Sequence, residues 1–569
     1  MDNKDIIREL RITANLMELH DENEFKVRSY RNAIYNIERL PEPLEVLELK
    51  ELEKVNGIGK SIASKIYELN STGKIETSEN LVKITPPGIL EMLNVKGIGL
   101  KKIKTMWQIL GITSIAELQQ AINTDKVRNL KGFGSKIQEK FGEIIQYYLS
   151  NKKKLNYAKA EAIGIQLIDE LKDKKSVSKI EFTGELRRKM EVVECISIIL
   201  STSETDDVIN ELQNIRYLEV NMQISSPNRI KGIFQDTKTS FEIFISAPKD
   251  FERNLLLTTG SNEHLAKSIK SLRIWQQAMN SDNNTEKDIY AASGLHFILP
   301  ELRENFIEWN EDISDQLIKM EDLKGILHNH TTYSDGKHSL KEMATYCQSL
   351  GYEYLGISDH SKAAAFYANG LDEDRVKAQQ DEIDELNSSL TNFKIYKGIE
   401  ADILPDGNID FEPETLATFD FVVASIHSVL NMDIVKATDR VVKAVNNPYT
   451  TILGHMTGRQ LLIREGYPLD HKAVIDACAE NGVIIEVNAH PNRLDIDWRW
   501  IPYALEKGVL ISINPDAHEK DGYHDMYYGV SVARKGGLVS SKTFNTFSNA
   551  DVAGYFEKRN NRAVKLLAS

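Results

Sequence analysis

Beyond residue 320 the chain alternates between two hydrophobic periods. Short apolar runs, "YLGIS", "FVVAS", "TILG" and "LISIN", read as strands buried on both faces. Between them lie stretches with apolar positions at helical spacing, such as "SLKEMATYCQSLG" and "KAVIDACAENG". Regular alternation of strand and helix predicts a (β/α) barrel over 319–569. The first 150 residues differ: apolar positions recur at helical spacing only, which predicts helices. From about 176 the pattern becomes mixed strand and helix. The chain is therefore expected to be multidomain α+β, with N-terminal helical domains, a mixed middle and a C-terminal barrel.

Glycine punctuates the helical part three times, in "VNGIGKS" (Gly57, Gly59), "VKGIGLKK" (Gly97, Gly99) and "LKGFGSK" (Gly132, Gly134). Each pair permits a tight turn whose backbone N–H groups, with the next helix's N-terminus, can hold a phosphate. Lys60, Lys101, Lys102 and Lys136 follow the glycines and supply charge. Three copies resemble helix-hairpin-helix units, which grip a DNA backbone without reading sequence. Plain turns between helices are the alternative.

Composition changes the picture little. The chain has 569 residues, 41% hydrophobic content and a net charge of −14. That charge is a whole-chain sum and does not exclude a basic DNA-binding face. No apolar run is long enough to span a membrane, and the start "MDNKDIIREL" is no secretory signal. Cys195, Cys347 and Cys478 lie far apart without CxxC spacing, as expected of a reducing cytoplasm rather than a disulfide framework.

The chemistry lies at the ends of the predicted barrel strands. His328, His330, Asp335, His360, Glu400, His427, His455, Asp516 and His518 are imidazole and carboxylate groups, most of them directly after an apolar run. C-terminal strand ends are where such barrels build their sites. Mixed N and O ligands suit Zn²⁺, Mn²⁺ or Fe²⁺, and so many imply a centre of two or three ions. Asp359 precedes His360 and is expected either to orient its ring or to cap a helix. Arg459, Arg464 and Arg493, in loops, are candidates for gripping substrate phosphate. The segment "EVNAHPNRLD" also offers Asn488 and His490, of which His490 reads as a rim residue.

The order H-x-H, D, D-H, G-I-E, S-x-H, G-H, D-x-H closely resembles the PHP (polymerase and histidinol phosphatase) phosphoesterases over about 321–560. The resemblance implies that the nine groups are metal ligands, with Glu400 bridging ions and His328, His330 and Asp359 close to the reaction. It also implies hydrolysis of phosphate esters by a metal-activated water.

The middle of the chain carries a second resemblance, to X-family DNA polymerases. "TGELRRKMEVVECISIIL" follows the frame of that family's nucleotidyltransferase signature, "LLTTGSNEH" its T-G-S loop (Thr259, Gly260, Ser261), and "DIYAASGLHFILPELRE" the connection to a PHP domain. The implied layout is a helical DNA-binding domain (1–85), a fingers-like helical domain (86–150), a palm (151–256), thumb and linker (257–318), and the PHP domain (319–569). The palm departs from the family where it matters. Gly184, Arg187 and Arg188 are kept, but Glu185 replaces the signature serine. The metal-binding aspartates fall on Cys195 and Ser197, and the third on Glu242. Soft, protonated sulfur and a neutral hydroxyl are poor ligands for the hard ions of nucleotidyl transfer, so Mg²⁺ is not expected at the palm and polymerase activity is expected to be lost. Lys65 matches the Schiff-base lysine of family members with lyase activity, although a phosphate contact is the plainer role. The resemblance thus implies a bacterial, cytoplasmic, nucleoid-associated monomer, a 3′-5′ exonuclease or 3′-end-cleaning enzyme in DNA repair, acting on gapped or 3′-ended DNA. The alternatives are a small-molecule phosphoesterase of histidinol-phosphatase type, a still-active gap-filling polymerase and a DNA-binding scaffold.

Overall fold

The computed structural model describes residues 3–38, 40, 44–269, 272–279, 285–309 and 311–568. They fall into two compact units, Met1–Lys152 and Lys153–Ser569.

The first unit is helical around one apolar core that includes Leu10, Met17, Ile34, Ile62, Ile66, Met106, Leu118 and Phe141. Its hairpins follow from the glycines. Gly57 has φ +79°, and a Cβ there would lie 2.1 Å from Asn36 Nδ2. At Gly97, φ is +98° and a Cβ would meet Ile144 Cδ1 at 2.6 Å. Only glycine satisfies both demands. Gly59 and Gly99 then adopt extended backbone and cap the helices Lys60–Thr72 and Leu100–Leu110. The third copy differs: Gly134, with φ +68°, is the first residue of the helix Gly134–Asn151 and Phe133 its cap. In all three the residue between the glycines (Ile58, Ile98, Phe133) is buried, which leaves the glycines and Lys60, Lys101 and Lys136 exposed.

The second unit begins with a palm sheet of β1 (Lys179–Phe182), β2 (Cys195–Ser201), β3 (Leu218–Val220), β4 (Arg229–Phe234) and β5 (Ser240–Ser246). Their order is β1-β2-β5-β4-β3, and only β2 and β5 run parallel. That register places Ser197 opposite Glu242.

Seven further strands form one parallel sheet in sequence order: β6 (Gly325–Ile326), β7 (Tyr354–Ile357), β8 (Lys394–Asp402), β9 (Phe421–Ser425), β10 (Thr450–Leu453), β11 (Ile484–Asn488) and β12 (Ile511–Asn514). The sheet nearly closes on itself. His330 N–H donates to the Ala517 carbonyl and Asp516 N–H to that of His328, tying the end of β6 to the end of β12. Side chains alternate between two cores, as a strand's period of two requires. Val422 and Ala424 pack with helix residues Val441, Val474 and Ile475. Phe421 and Val423 instead join Leu327, Ile452, Ile484 and Phe556 of the last helix, Asn549–Ala568. Phe421 and Phe556 stack with centroids 5.2 Å apart. Fully burying a phenylalanine stabilises by about 1.5–3 kcal/mol, so this helix fastens the end of the barrel away from the ligand residues.

Candidate metal centre and DNA-binding elements

The strand ends converge on Glu400. Its carboxylate lies 3.4 Å from His328 Nε2, 3.6 Å from His330 Nε2, 2.9 Å from His360 Nδ1, 3.2 Å from His427 Nε2 and 3.0 Å from His455 Nε2. Asp516 Oδ1 is 3.1 Å from His330 Nε2 and 3.5 Å from His328 Nε2. Asp335 Oδ1 lies 3.4 Å from His518 Nε2 and 3.7 Å from His360 Nε2. All nine expected ligand residues thus meet. The donor atoms of seven of them fall into three overlapping groups: His330, Asp335, His360 and His518; His328, His330 and Glu400; and His360, Glu400 and His427.

The donor set fits cations better than it fits itself. His328 Nε2, His360 Nδ1 and Glu400 Oε2 are buried without a properly oriented hydrogen bond. Buried polar atoms are seldom left so. Without cations, protons do part of the work. Burial disfavours charge on His427, but Glu400 and Asp402 outweigh it and push its pKa up to about 10. Against the same burial, Asp335 and Asp516 bring His518 to about 9. His330 has the opposite fate: burial and the nearby His518 and His360 depress it to about 3. Burial opposes ionisation of Glu400, yet the surrounding imidazoles hold it well below the carboxylate range.

Residues behind the cluster fix its imidazole rings. Glu486 Oε1 lies 2.7 Å from His328 Nδ1, and its other oxygen accepts from His455 N–H at 2.8 Å. Asp402 Oδ1 lies 2.5 Å from His427 Nδ1, and Oδ2 accepts from Tyr367 at 3.0 Å. Neither carboxylate is among the residues expected from the sequence. Signals were present: Glu486 is the lone charge within "VIIEVN", and Asp402 shares a strand face with Glu400 in "EAD". Asn488, assigned no role from the sequence, is fully buried and donates to Asp516 Oδ2 at 3.1 Å.

Asp359 requires a correction. Its hydrogen bonds go neither to the His360 ring nor to a helix start. It is fully buried and accepts from Thr331 N–H and Oγ1 at 2.7 Å each, from Ser334 N–H and Oγ, and from Gln379 at 2.6 Å. Its work is to pin the loop between His330 and Asp335. Of the three arginines, Arg459 is likewise committed elsewhere. Arg459 pairs with Asp497 at 2.6 Å and donates to the Arg493 and Leu494 carbonyls, and Arg464 donates to the Gly458 carbonyl. Arg493 alone borders the centre, with Nε 3.6 Å from Asp516 Oδ2.

At the palm, Arg187 forms a two-point pair with Glu286 and donates to Thr259 Oγ1 at 2.8 Å. Arg188 binds Glu304 at 2.8 Å and the Thr259 carbonyl. Glu304 also receives the fully buried Lys535 at 2.5 Å. Glu185 accepts from Glu194 and Cys195 N–H, and burial raises its pKa. The Cys195 thiol is pushed up to about 12 by burial and by Glu242. Glu242 itself pairs with Arg229 at 2.6 Å and Lys231 at 3.3 Å. Ser261 caps the helix Asn262–Ala266, and Gly184 starts a short helix directly against Ser197. In the hairpin unit Lys65 pairs with Glu68 at 2.7 Å, and Lys102 turns onto the Gly132 carbonyl and the Phe133 ring rather than outward.

A near-closed parallel barrel with a buried His/Asp/Glu cluster at its strand ends defines a metal-dependent hydrolase domain of PHP type, and residues 327–490 match the PHP domain family. Residues 1–75 match a helix-hairpin-helix domain and 89–140 a SAM-like helix-hairpin-helix tandem, which makes this a DNA-binding enzyme. Over 98% of its length the chain is 35% identical to the whole of "DNA polymerase/3′-5′ exonuclease PolX" from Bacillus subtilis, and it belongs to that family. The barrel region is also similar to two proteins described as probable phosphatases. One, from Acetivibrio thermocellus, is 33% identical over 34% of this chain and 78% of its own length. The other, from Thermoanaerobacter sp., is 26% identical over 38% of this chain and 89% of its own length. Among the described residues no helix is long and apolar enough to cross a membrane.

Proposed function

We propose that the chain is a 3′-5′ exonuclease or 3′-end-cleaning enzyme whose chemistry resides at the Glu400 centre and whose palm no longer polymerises. The observation that carries this reading is the asymmetry between the two sites. Nine ligand-type side chains converge in the barrel, whereas the palm offers a protonated thiol, a hydroxyl and a carboxylate already paired with two cations.

His328, His330, Asp335, His360, Glu400, His427, His455, Asp516 and His518 would hold two or three divalent ions, Mn²⁺, Zn²⁺ or Fe²⁺. Such ions polarise phosphoryl oxygens and lower the pKa of water. Glu486 and Asp402 orient His328 and His427, so that the free ring nitrogens face inward. Asp359 keeps the His330–Asp335 loop in place. Arg493 is the arginine best placed to meet a non-bridging phosphate oxygen. The hairpins, with Lys60, Lys101 and Lys136, deliver a gapped or 3′-ended DNA backbone without reading sequence. At the palm, Arg187 and Arg188 are held by Glu286 and Glu304, which ties up the guanidinium donors a triphosphate would need.

The test is a 5′-labelled primer on a gapped template, incubated with Mn²⁺ and all four deoxynucleotides. Shortening that His328→Ala/His330→Ala abolishes supports the reading, and lengthening rejects the silent palm. The phosphatase-named relatives favour one second reading, hydrolysis of a small phosphate ester. An unchanged primer together with turnover of histidinol phosphate would select it.

A further inference from the structure

Phe366 is fully exposed, with a relative accessibility of 103%, the highest among the large apolar side chains of the described residues. It stands on the short helix Ala365–Ala368, in the loop that follows ligand residue His360. Its neighbour Tyr367 reaches into the centre. The Tyr367 hydroxyl donates to Asp402, and its ring lies 6.5 Å from that of His360 and 6.4 Å from that of His427. A second apolar side chain, Val429, is 58% exposed just past His427. The His360 and His427 rings are 5.0 Å apart, so both apolar groups rise from loops beside one edge of the centre.

The loop that carries Phe366 is fixed at both ends. Ala363 N–H donates to Asp410 at 2.7 Å, and Leu371 N–H donates to the His360 carbonyl at 2.8 Å. Asn369, at φ +53°, ties its side chain to the Ser334 carbonyl at 3.0 Å. At Gly370 a Cβ would lie 1.9 Å from the Ser361 carbonyl, so the backbone passes too closely for any other residue. An aromatic ring left in water forgoes its burial energy, and with the loop backbone already ordered little backbone entropy is lost when something covers it.

We propose that Phe366 stacks on the nucleobase of the nucleotide being removed, with Val429 as the opposing edge, and so is a positioning residue for the 3′ end. Stacking is sequence-tolerant because every base has a π face, which suits hairpins that grip backbone alone. The proposal rests on the nuclease reading above. Its test therefore includes a readout that needs no hydrolysis.

In the His328→Ala/His330→Ala full-length chain, a primer with 2-aminopurine at its 3′ terminus should lose fluorescence on binding. Adding Phe366→Ala should abolish that quenching, and Phe366→Trp should restore it. In the otherwise wild-type chain, Phe366→Ala should raise KM on ordinary 3′ ends roughly 5- to 100-fold. It should change nothing on a primer ending in an abasic nucleotide, which has no base to stack. Because Phe366 is exposed, the thermal midpoint should not move. Unaltered quenching in the Phe366→Ala chain, or equal losses on ordinary and abasic ends, overturns the proposal. A wild-type chain that leaves the primer intact rejects the nuclease reading instead, whatever the quenching shows.

Discussion

Arg187 closes on Glu286 through two parallel contacts, Nη1 to Oε1 at 2.9 Å and Nη2 to Oε2 at 2.6 Å, and Glu286 Oε1 receives Arg303 as well at 2.6 Å. Bidentate pairing of this kind fixes both charge and geometry. An arginine so engaged cannot turn to a nucleotide without leaving a buried carboxylate short of partners.

Restoring the palm ligands alone is therefore expected to fail. A Cys195→Asp/Ser197→Asp chain should still leave a primer unextended in Mg²⁺ and all four deoxynucleotides. Glu286→Ala should destabilise the unit by about 3–5 kcal/mol, because it strands the charge of Arg303. Primer extension on a gel and urea unfolding check the two halves. Extension by the double variant would mean that Glu286 does not block the site.

Glu486→Gln should weaken cation binding about 10- to 100-fold while leaving the fold intact, since Glu486 orients His328 without being among the ligand groups. Glu400→Gln should be the more severe change, because five imidazoles share that carboxylate. Mn²⁺ titration followed by calorimetry ranks the two variants. Equal affinities for wild type and Glu486→Gln would remove Glu486 from the centre's support.

The raised pKa values of His427, about 10, and His518, about 9, set the sign of a pH effect. Both rings keep their protons at neutral pH in the cation-free chain, so cation uptake must expel them and affinity must rise with pH. Calorimetry in two buffers of different ionisation enthalpy should reveal proton release at pH 7; identical heats would contradict it. In the cation-free chain, these raised values contribute stability that is fully present below the unfolded histidine pKa of about 6.5. That stability is lost as pH rises through 9 to 10.

Lys101→Ala and Lys136→Ala should each weaken DNA binding evenly across sequences, and each should reduce the slope of log affinity against log salt by about 0.9. Fluorescence anisotropy between low and moderate salt measures it. Lys102→Ala should act differently, loosening the Gly132–Phe133 turn that its ammonium group braces. A salt slope unchanged in all three would remove the hairpins from the DNA interface.

What was legible before folding follows local rules. Strand and helix periods, the paired glycines and the position of each ligand after an apolar run all depend on residues close in sequence. The nine ligand-type residues that meet in the barrel, and the substituted palm positions, could be picked out without coordinates. Other features depended on distant partners. Asp359 looks like a companion of His360, yet its carboxylate faces a loop some 25 residues earlier, Thr331 to Ser334. Arg459 looks free in a polar loop, but the loop folds back and satisfies it. Arg187 is kept from the polymerase frame, and only the packing of Glu286, 99 residues away, shows that its charge is taken. A side chain's identity states which bonds it can make. Which ones it does make is decided when the chain closes and buried polar groups must find partners within reach.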